Sequence, residues 1–371
     1  MKRNKTITSI VAVMTAAGMM LTGCGGNATK EESARKDAQS IIAENQATET
    51  VSETETQSGA EVTSEKRTEY PVTITTYASD GTEIETTYDK APEKVLAVYQ
   101  GCIETMLALG LEDHMVAAAG LDNEVPDEMK AAFSKVNYLD EFTPSIETVT
   151  MLEPDMIFSW GSYFQEKTLG DTSDWIDKGV NIYMNSNTRP STDDVSYPRT
   201  LENEYQDILN LGIIFDVQDR AEALVNEMKE AVATTVAEAS TQEEKPTVLI
   251  LESYDTFWNY GADTLGGDMV TSLGGELASP DGSDLGKEDL IALDPDVIFV
   301  VYMPYEGDDA EEVKEEKLNV ILDDESLASL SAVQNNRVIP IMLSEMYASA
   351  TRTKDGIVTI ANGLYPDLNL Q

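Results

Sequence analysis

The stretches MLEPDMIFSW at residues 151–160 and ALDPDVIFVV at residues 292–301 carry nearly the same pattern. Each closes a longer parallel: SIETVTMLEPDMIFSW (145–160) against GKEDLIALDPDVIFVVY (286–302). In both, a short amphipathic pattern leads to leucine, an acid and Pro-Asp, and then to an apolar run. Proline cannot continue a helix and biases its predecessor out of the helical region. The following Ile, Phe and Val read as a strand buried on both faces. Pro-Asp between them has the chemistry of a tight turn. The offset from Glu153 to Asp294 is 141 residues. Solenoid repeats run to roughly 20–50 residues, so this repeat is the size of a lobe or domain.

More of the chain is duplicated. KVLAV (94–98) is an apolar strand followed by a helix pattern ending at Leu109-Gly110. TVLIL (247–251) is another, followed by Gly266-Gly267 and a helix ending at Leu273-Gly274-Gly275. MVAAAG after Gly110 and GVNIYMN after Trp160 add further strands, so each half alternates strand and helix. Between the halves, Ala221, Leu224, Val225, Met228, Val232 and Val236 recur at helical spacing without Gly or Pro. This predicts a long connecting helix with Asp219 as its N-cap. The expected fold class is α/β: two similar three-layer lobes joined by one long helix, with a ligand cleft between them. The expected boundaries are 69–195 and 246–371 for the lobes and 196–245 for the linking helical segment.

The amino terminus sets the compartment. Lys2, Arg3 and Lys5 precede an apolar run from Ile7 to Leu21, short for a bilayer span. It ends in Leu21-Thr22-Gly23-Cys24, which resembles a bacterial lipobox. That resemblance implies a signal peptide over 1–23 and a lipidated Cys24, hence a cell-membrane protein anchored on the extracytoplasmic face. Residues 24–68 are poor in large apolar groups and read as a disordered tether. The net charge is −43, with 68 acidic against 25 basic residues. Such a chain repels nucleic acid and anionic lipid surfaces, so membrane contact is expected through the lipid anchor alone. Cys102, the only other cysteine, lies in an apolar stretch and reads as a buried structural thiol.

From KVLAVYQGCIETMLALGLEDHMVAAAG (94–120), LEPDMIFSW (152–160), LGKEDLIALDPDVIFVV (285–301) and TRTKDGIVTIANGLYP (351–366), in that order, the chain resembles the substrate-binding proteins of ABC importers. Within them it is similar to the single-helix-linked class that carries ferric siderophores, cobalamin and haem. The resemblance covers roughly residues 70–371. It implies a monomeric, non-enzymatic solute-binding protein that captures a small-molecule metal chelate and delivers it to an ABC permease with its ATPase. A ferric siderophore is the first expectation, with a corrinoid or haem as alternatives. A signalling or adhesive lipoprotein and an enzyme on the same fold are the competing classes.

Ligands of α/β sheets sit beyond the carboxyl ends of strands. The residues that follow predicted strands are therefore the cleft candidates: Tyr99 and Gln100; Trp160 and Tyr163; Arg189; Tyr254 and Trp258; Tyr302 and Tyr305; and Glu345, Tyr347 and Arg352. Aromatic rings suit a bulky conjugated ligand, and Arg189 after a strand suits a carboxylate or phosphate. Arg352 matches an arginine of the family's closing helix, which either contacts ligand or packs. The resemblance also implies one acidic residue on each lobe that docks on permease arginines, and Glu166 and Glu288 are placed in that role.

No G-x-S-x-G elbow, P-loop or dinucleotide fingerprint is present. His114 is the only histidine and reads as a solvated loop residue. A single histidine disfavours a zinc or manganese site, so no cofactor and no protein-held metal are expected.

Overall fold

The computed structural model describes residues 67–192, 195–348 and 350–371. The expected signal peptide, Cys24 and the expected tether up to residue 66 lie outside the described residues. The described part opens with an antiparallel hairpin, β1 (Val72–Tyr77) and β2 (Glu83–Tyr88). It lies against the edge of the first lobe, where the Met184 amide donates to Thr76 Oγ1 at 3.0 Å.

The repeat read in the sequence is a repeat of topology. The first lobe is a four-stranded parallel sheet of β3 (Val95–Val98), β4 (Met115–Ala119), β5 (Met156–Ser159) and β6 (Asn181–Met184), in the order β4-β3-β5-β6. In the second lobe β9 (Glu276–Leu277), β7 (Thr247–Ser253), β11 (Val297–Tyr302) and β12 (Val338–Met342) pair in parallel in the corresponding order. The second lobe also carries two antiparallel strands without counterpart in the first, β8 (Phe257–Asn259) and β10 (Ser283–Leu285).

Both sheets are buried on both faces, which is why their strands read as unbroken apolar runs. Successive residues point to opposite faces. Val95, Ala97, Met156 and Phe158 enter one core while Leu96, Val98 and Ile157 enter another. Val248, Ile250, Val297 and Phe299 likewise divide from Leu249, Leu251, Ile298 and Val300. The first of these cores runs through both lobes, so the lobes share an apolar layer along the linking helices.

The link contains two helices where the periodicity of residues 219–240 announced one. Leu201–Ile214 precedes Gln218–Ala239. The longer helix starts one residue before Asp219. Its N-cap is Val217, and Asp219 sits in the first turn, where a carboxylate offsets the helix dipole.

The duplicated turn has one construction in both lobes. The helices Ile146–Leu152 and Lys287–Leu293 end at Glu153 and Asp294, both in the left-handed region at φ 46° and φ 39°. The following proline forbids another helical residue, so the chain must turn there. The aspartate after the proline then fastens a neighbouring strand. Asp155 accepts the amides of Glu93 (2.8 Å) and Lys94 (2.9 Å) just before β3. Asp296 accepts both the amide and the hydroxyl of Thr247 at 2.8 Å, at the start of β7.

Candidate functional site

The site begins at Tyr99, which leaves β3 at φ 86° and ψ 154° before the helix Gln100–Ala108. That backbone region is costly for any residue with a side chain, by about 1–3 kcal/mol. The surrounding structure holds it there: the Tyr99 amide donates to Ala119 at 2.8 Å, and its hydroxyl bonds the Asp122 carboxylate. Gly120 lets the chain pass, since a Cβ there would meet Phe142 O at 2.9 Å and Tyr99 N at 3.3 Å.

Around the strained tyrosine the rings form a series that crosses from one lobe to the other. Tyr99 lies 4.0 Å from Trp160, 5.5 Å from Tyr163 and 6.4 Å from Phe142, centroid to centroid. Trp160 lies 5.8 Å from Tyr347, and Tyr347 lies 6.5 Å from Tyr260 in the second lobe. The Arg199 guanidinium lies 3.6 Å over the Tyr347 ring. At the outer end Tyr254, Trp258 and Tyr305 are solvent-facing, at 68%, 36% and 60% exposure. Tyr302 is half-buried and within electrostatic reach of Glu345 and Arg352.

Each lobe supplies a carboxylate to this wall. Asp122 is the first, its carboxyl pushed up by burial. Glu252 is the second and accepts the Tyr260 hydroxyl at 2.5 Å. Burial raises the Tyr99 and Tyr260 hydroxyls far above the ordinary phenol, and their carboxylate neighbours raise them further, so both stay protonated donors.

Three of the sequence candidates are occupied by the protein itself. Gln100 is buried; its Nε2 donates to Glu104 at 2.6 Å, and its Oε1 accepts the Asp122 amide at 3.0 Å. It positions the Asp122 loop. Arg189 turns its side chain to the hairpin. Its Nε donates to Gly81 O at 2.6 Å, and its guanidinium sits over Tyr77 and Tyr197. Arg352 binds Glu104 across the lobes through two short bonds, at 2.7 and 2.6 Å.

The repeat also corrects the matched acids. Subtracting the 141-residue offset from Glu288 gives Glu147, and both occupy the first turn of their helices. Glu166 is exposed, but it follows β5 and has no such equivalence to Glu288. His114 is half-buried rather than solvated: Nδ1 lies 2.6 Å from Pro92 O, and its ring packs edge-on to Phe215. Cys102 is a free, buried thiol.

Sequence reasoning missed Asp122, Phe142, Arg199, Glu252 and Tyr260. Asp122 and Tyr260 do follow strands: β4 is read from MVAAAG without its end being followed to Asp122, and Tyr260 is reached once β8 is recognised. The lobes also meet directly here, where the Glu306 amide donates to Asp122 O at 3.0 Å. A cavity of about 500 Å³ opens beside this contact, walled by Leu121, Val125, Phe133 and Tyr138 with Lys130 and Glu306. Among the described residues, no cluster of three His, Cys, Asp or Glu side chains is placed to hold a bare metal ion. Among the same residues, no helix is long and apolar enough to cross a membrane.

The family model for periplasmic binding proteins matches residues 95–342. The crystal structure of a periplasmic binding protein from Veillonella parvula is 31% identical, covers 81% of this chain and 93% of its own, and superposes with a TM-score of 0.72. An uncharacterised ABC-transporter substrate-binding lipoprotein of Bacillus subtilis is 24% identical over 98% of both chains. A structure from Saccharomonospora viridis, described as an ABC-type Fe3+-hydroxamate transport system, shares the fold. It is 21% identical, covers 80% of this chain and all of its own, and has a TM-score of 0.59.

Proposed function

This chain belongs to the periplasmic binding protein family, and from that premise we propose that it is the extracytoplasmic solute-binding component of an ABC importer. It captures a bulky metal chelate, a ferric siderophore in the first instance, and hands it to a permease. The observation that carries this reading is the ring series from Tyr163 and Tyr99 through Trp160 to Tyr347 and Tyr260, drawn from both lobes. Rings on both walls of a cleft give a large, shape-tolerant contact for a conjugated ligand while keeping polar edges available. The metal enters already wrapped in its chelator. Lipidation at Cys24 holds the protein at the membrane. Glu147 and Glu288, matched by the repeat, dock the two lobes on permease arginines.

Titration of intrinsic tryptophan fluorescence with ferric siderophores, cobalamin and haem tests the reading. Saturable binding of one class without turnover is expected. Trp160→Ala should weaken it about tenfold, since a well-placed ring pair contributes about 0.5–1.5 kcal/mol beyond its buried area. Absence of binding by all three classes defeats the proposal.

A further inference from the structure

We propose that the cleft selects a chelate of zero or positive net charge, held by tyrosine and tryptophan faces between two tyrosine-bonded carboxylates, and rejects polyanionic chelates. This rests on the reading above that the cleft binds a chelate, and it adds the charge class of the ligand.

The cations come first. Among the described residues, Arg67, Arg189, Arg220 and Arg337 are engaged elsewhere. Arg67 pairs with Asp219 and Glu222, and Arg189 holds the hairpin. Arg220 and Arg337 bond carbonyls at the ends of the helices Gln100–Ala108 and Thr353–Leu364. Arg352 faces the cleft region, but Glu104 matches its charge through two bonds. Arg199 lies over the Tyr347 ring with Nη1 3.4 Å from that residue's carbonyl, and buried Glu204 is within its electrostatic reach. Lys130, on the cavity wall, pairs with Glu124 and Asp127, so a trianion entering here finds cations whose charge or geometry is already committed.

The anions are arranged the other way. Asp122 and Glu252 take their hydrogen bonds from tyrosine hydroxyls, not from lysine or arginine. A phenol donor solvates a carboxylate without cancelling its charge. It also becomes more electron-rich, which strengthens the attraction of its face for a cation. The same constellation therefore attracts a positive ligand and repels a negative one, the repulsion supplying much of the specificity. Trp160 adds a donor for a ligand oxygen, which sets no charge preference of its own. Its indole Nε1 is buried without an acceptor among the described residues. A buried unpaired donor is unfavourable, so a ligand oxygen that accepts from it is rewarded. Hydroxamate and amide oxygens qualify while carrying little or no net charge on the complex.

The test uses gallium chelates, which spare the fluorescence signal from quenching by iron. Three are compared on the full-length protein: a neutral tris-hydroxamate, the same chelate bearing a pendant ammonium, and a trianionic tris-catecholate. The ammonium form should bind about tenfold tighter than the neutral one, and the trianion about a hundredfold weaker. In a folded Asp122→Asn/Glu252→Gln variant the preference for the ammonium form should shrink towards one. Tightest binding by the trianion overturns this proposal and leaves the transport reading standing. So does loss of binding on Arg199→Gln together with tighter binding by the double variant. If no chelate, corrinoid or haem binds, the transport reading falls, and this inference falls with it.

Discussion

Arg352 and Glu104 join the two lobes through a two-point ion pair, Nε to Oε2 at 2.7 Å and Nη2 to Oε1 at 2.6 Å. Glu104 is fully buried and Arg352 nearly so. Further bonds run from Arg352 to Ser344 Oγ (3.1 Å) and Asn123 Oδ1 (3.1 Å), so the guanidinium is satisfied on several sides. Removing one partner of such a pair leaves a buried charge uncompensated, which typically costs about 3–5 kcal/mol. Glu104→Leu and Arg352→Met should each lower the unfolding free energy read from chemical denaturation by that amount, and the double variant should recover part of the loss. Equal, additive losses would show that the two side chains act independently.

Asp155 and Asp296 should behave as one residue used twice. Each carboxylate accepts two hydrogen bonds from groups at the start of a neighbouring strand. A hydrogen bond to a charged group contributes about 1.5–3 kcal/mol, less where water replaces it. Asp155→Ala and Asp296→Ala should each cost roughly 1–3 kcal/mol of stability. Ligand affinity should hold, since neither aspartate is among the groups that line the cleft. A large effect in one lobe and none in the other would break the equivalence.

These aspartates also mark the limit of what the sequence discloses. The repeat, the strands and the left-handed stop before proline follow from local chemistry, and residues 145–160 and 286–302 display it. The partners of Asp155 lie 61 and 62 residues away, and that of Asp296 lies 49 away. No periodicity reports such distances. The same holds in the cleft. Tyr99 and Trp160 were legible because they follow strands. Arg189 follows one too, yet the hairpin claims it, because Gly81 and Tyr77 come back over that strand end. The helix Leu201–Ile214 was legible and overlooked: Leu201, Tyr205, Ile208 and Leu211 are buried along one face.

The buried acids of that helix set a pH dependence. Burial, and after it the charge of Asp207, push Glu204 up to about 7, and burial pushes Asp207 up to about 6. Glu204 accepts from Asn187 Nδ2 (2.5 Å) and from the Ala350 amide (2.6 Å), so it ties the linker to the second lobe. A carboxyl whose folded value is raised stabilises the fold when protonated. That stability is complete below the ordinary carboxylate range and is lost as pH rises through about 6–7. Thermal unfolding should therefore occur at lower temperature at pH 8 than at pH 5. Relief of repulsion among the surface acids acts in the same direction, so Glu204→Gln separates the two. It carries the shape of the protonated acid and should raise the pH 8 midpoint by roughly 2 °C or more while leaving the pH 5 value nearly unchanged. An unaltered slope in that variant would assign the whole dependence to the surface.

Delivery should separate from capture at Glu147 and Glu288. Both sit on exposed first turns of equivalent helices that lead into β5 and β11. On the proposed reading, a carboxylate on each lobe would let one permease surface engage both lobes at once. Reversing both to lysine places like charges against the permease arginines, which costs docking energy and slows encounter. Stimulation of the reconstituted transporter's ATPase should fall at least tenfold, and chelate affinity of the isolated protein should stay within about twofold. Glu166→Lys, outside the repeat equivalence, is the control and should transport as the parent does. If Glu166→Lys blocks transport and the Glu147→Lys/Glu288→Lys pair does not, the repeat has identified the wrong acids. If the pair loses chelate binding as well, those helices report on the cleft and not on the permease.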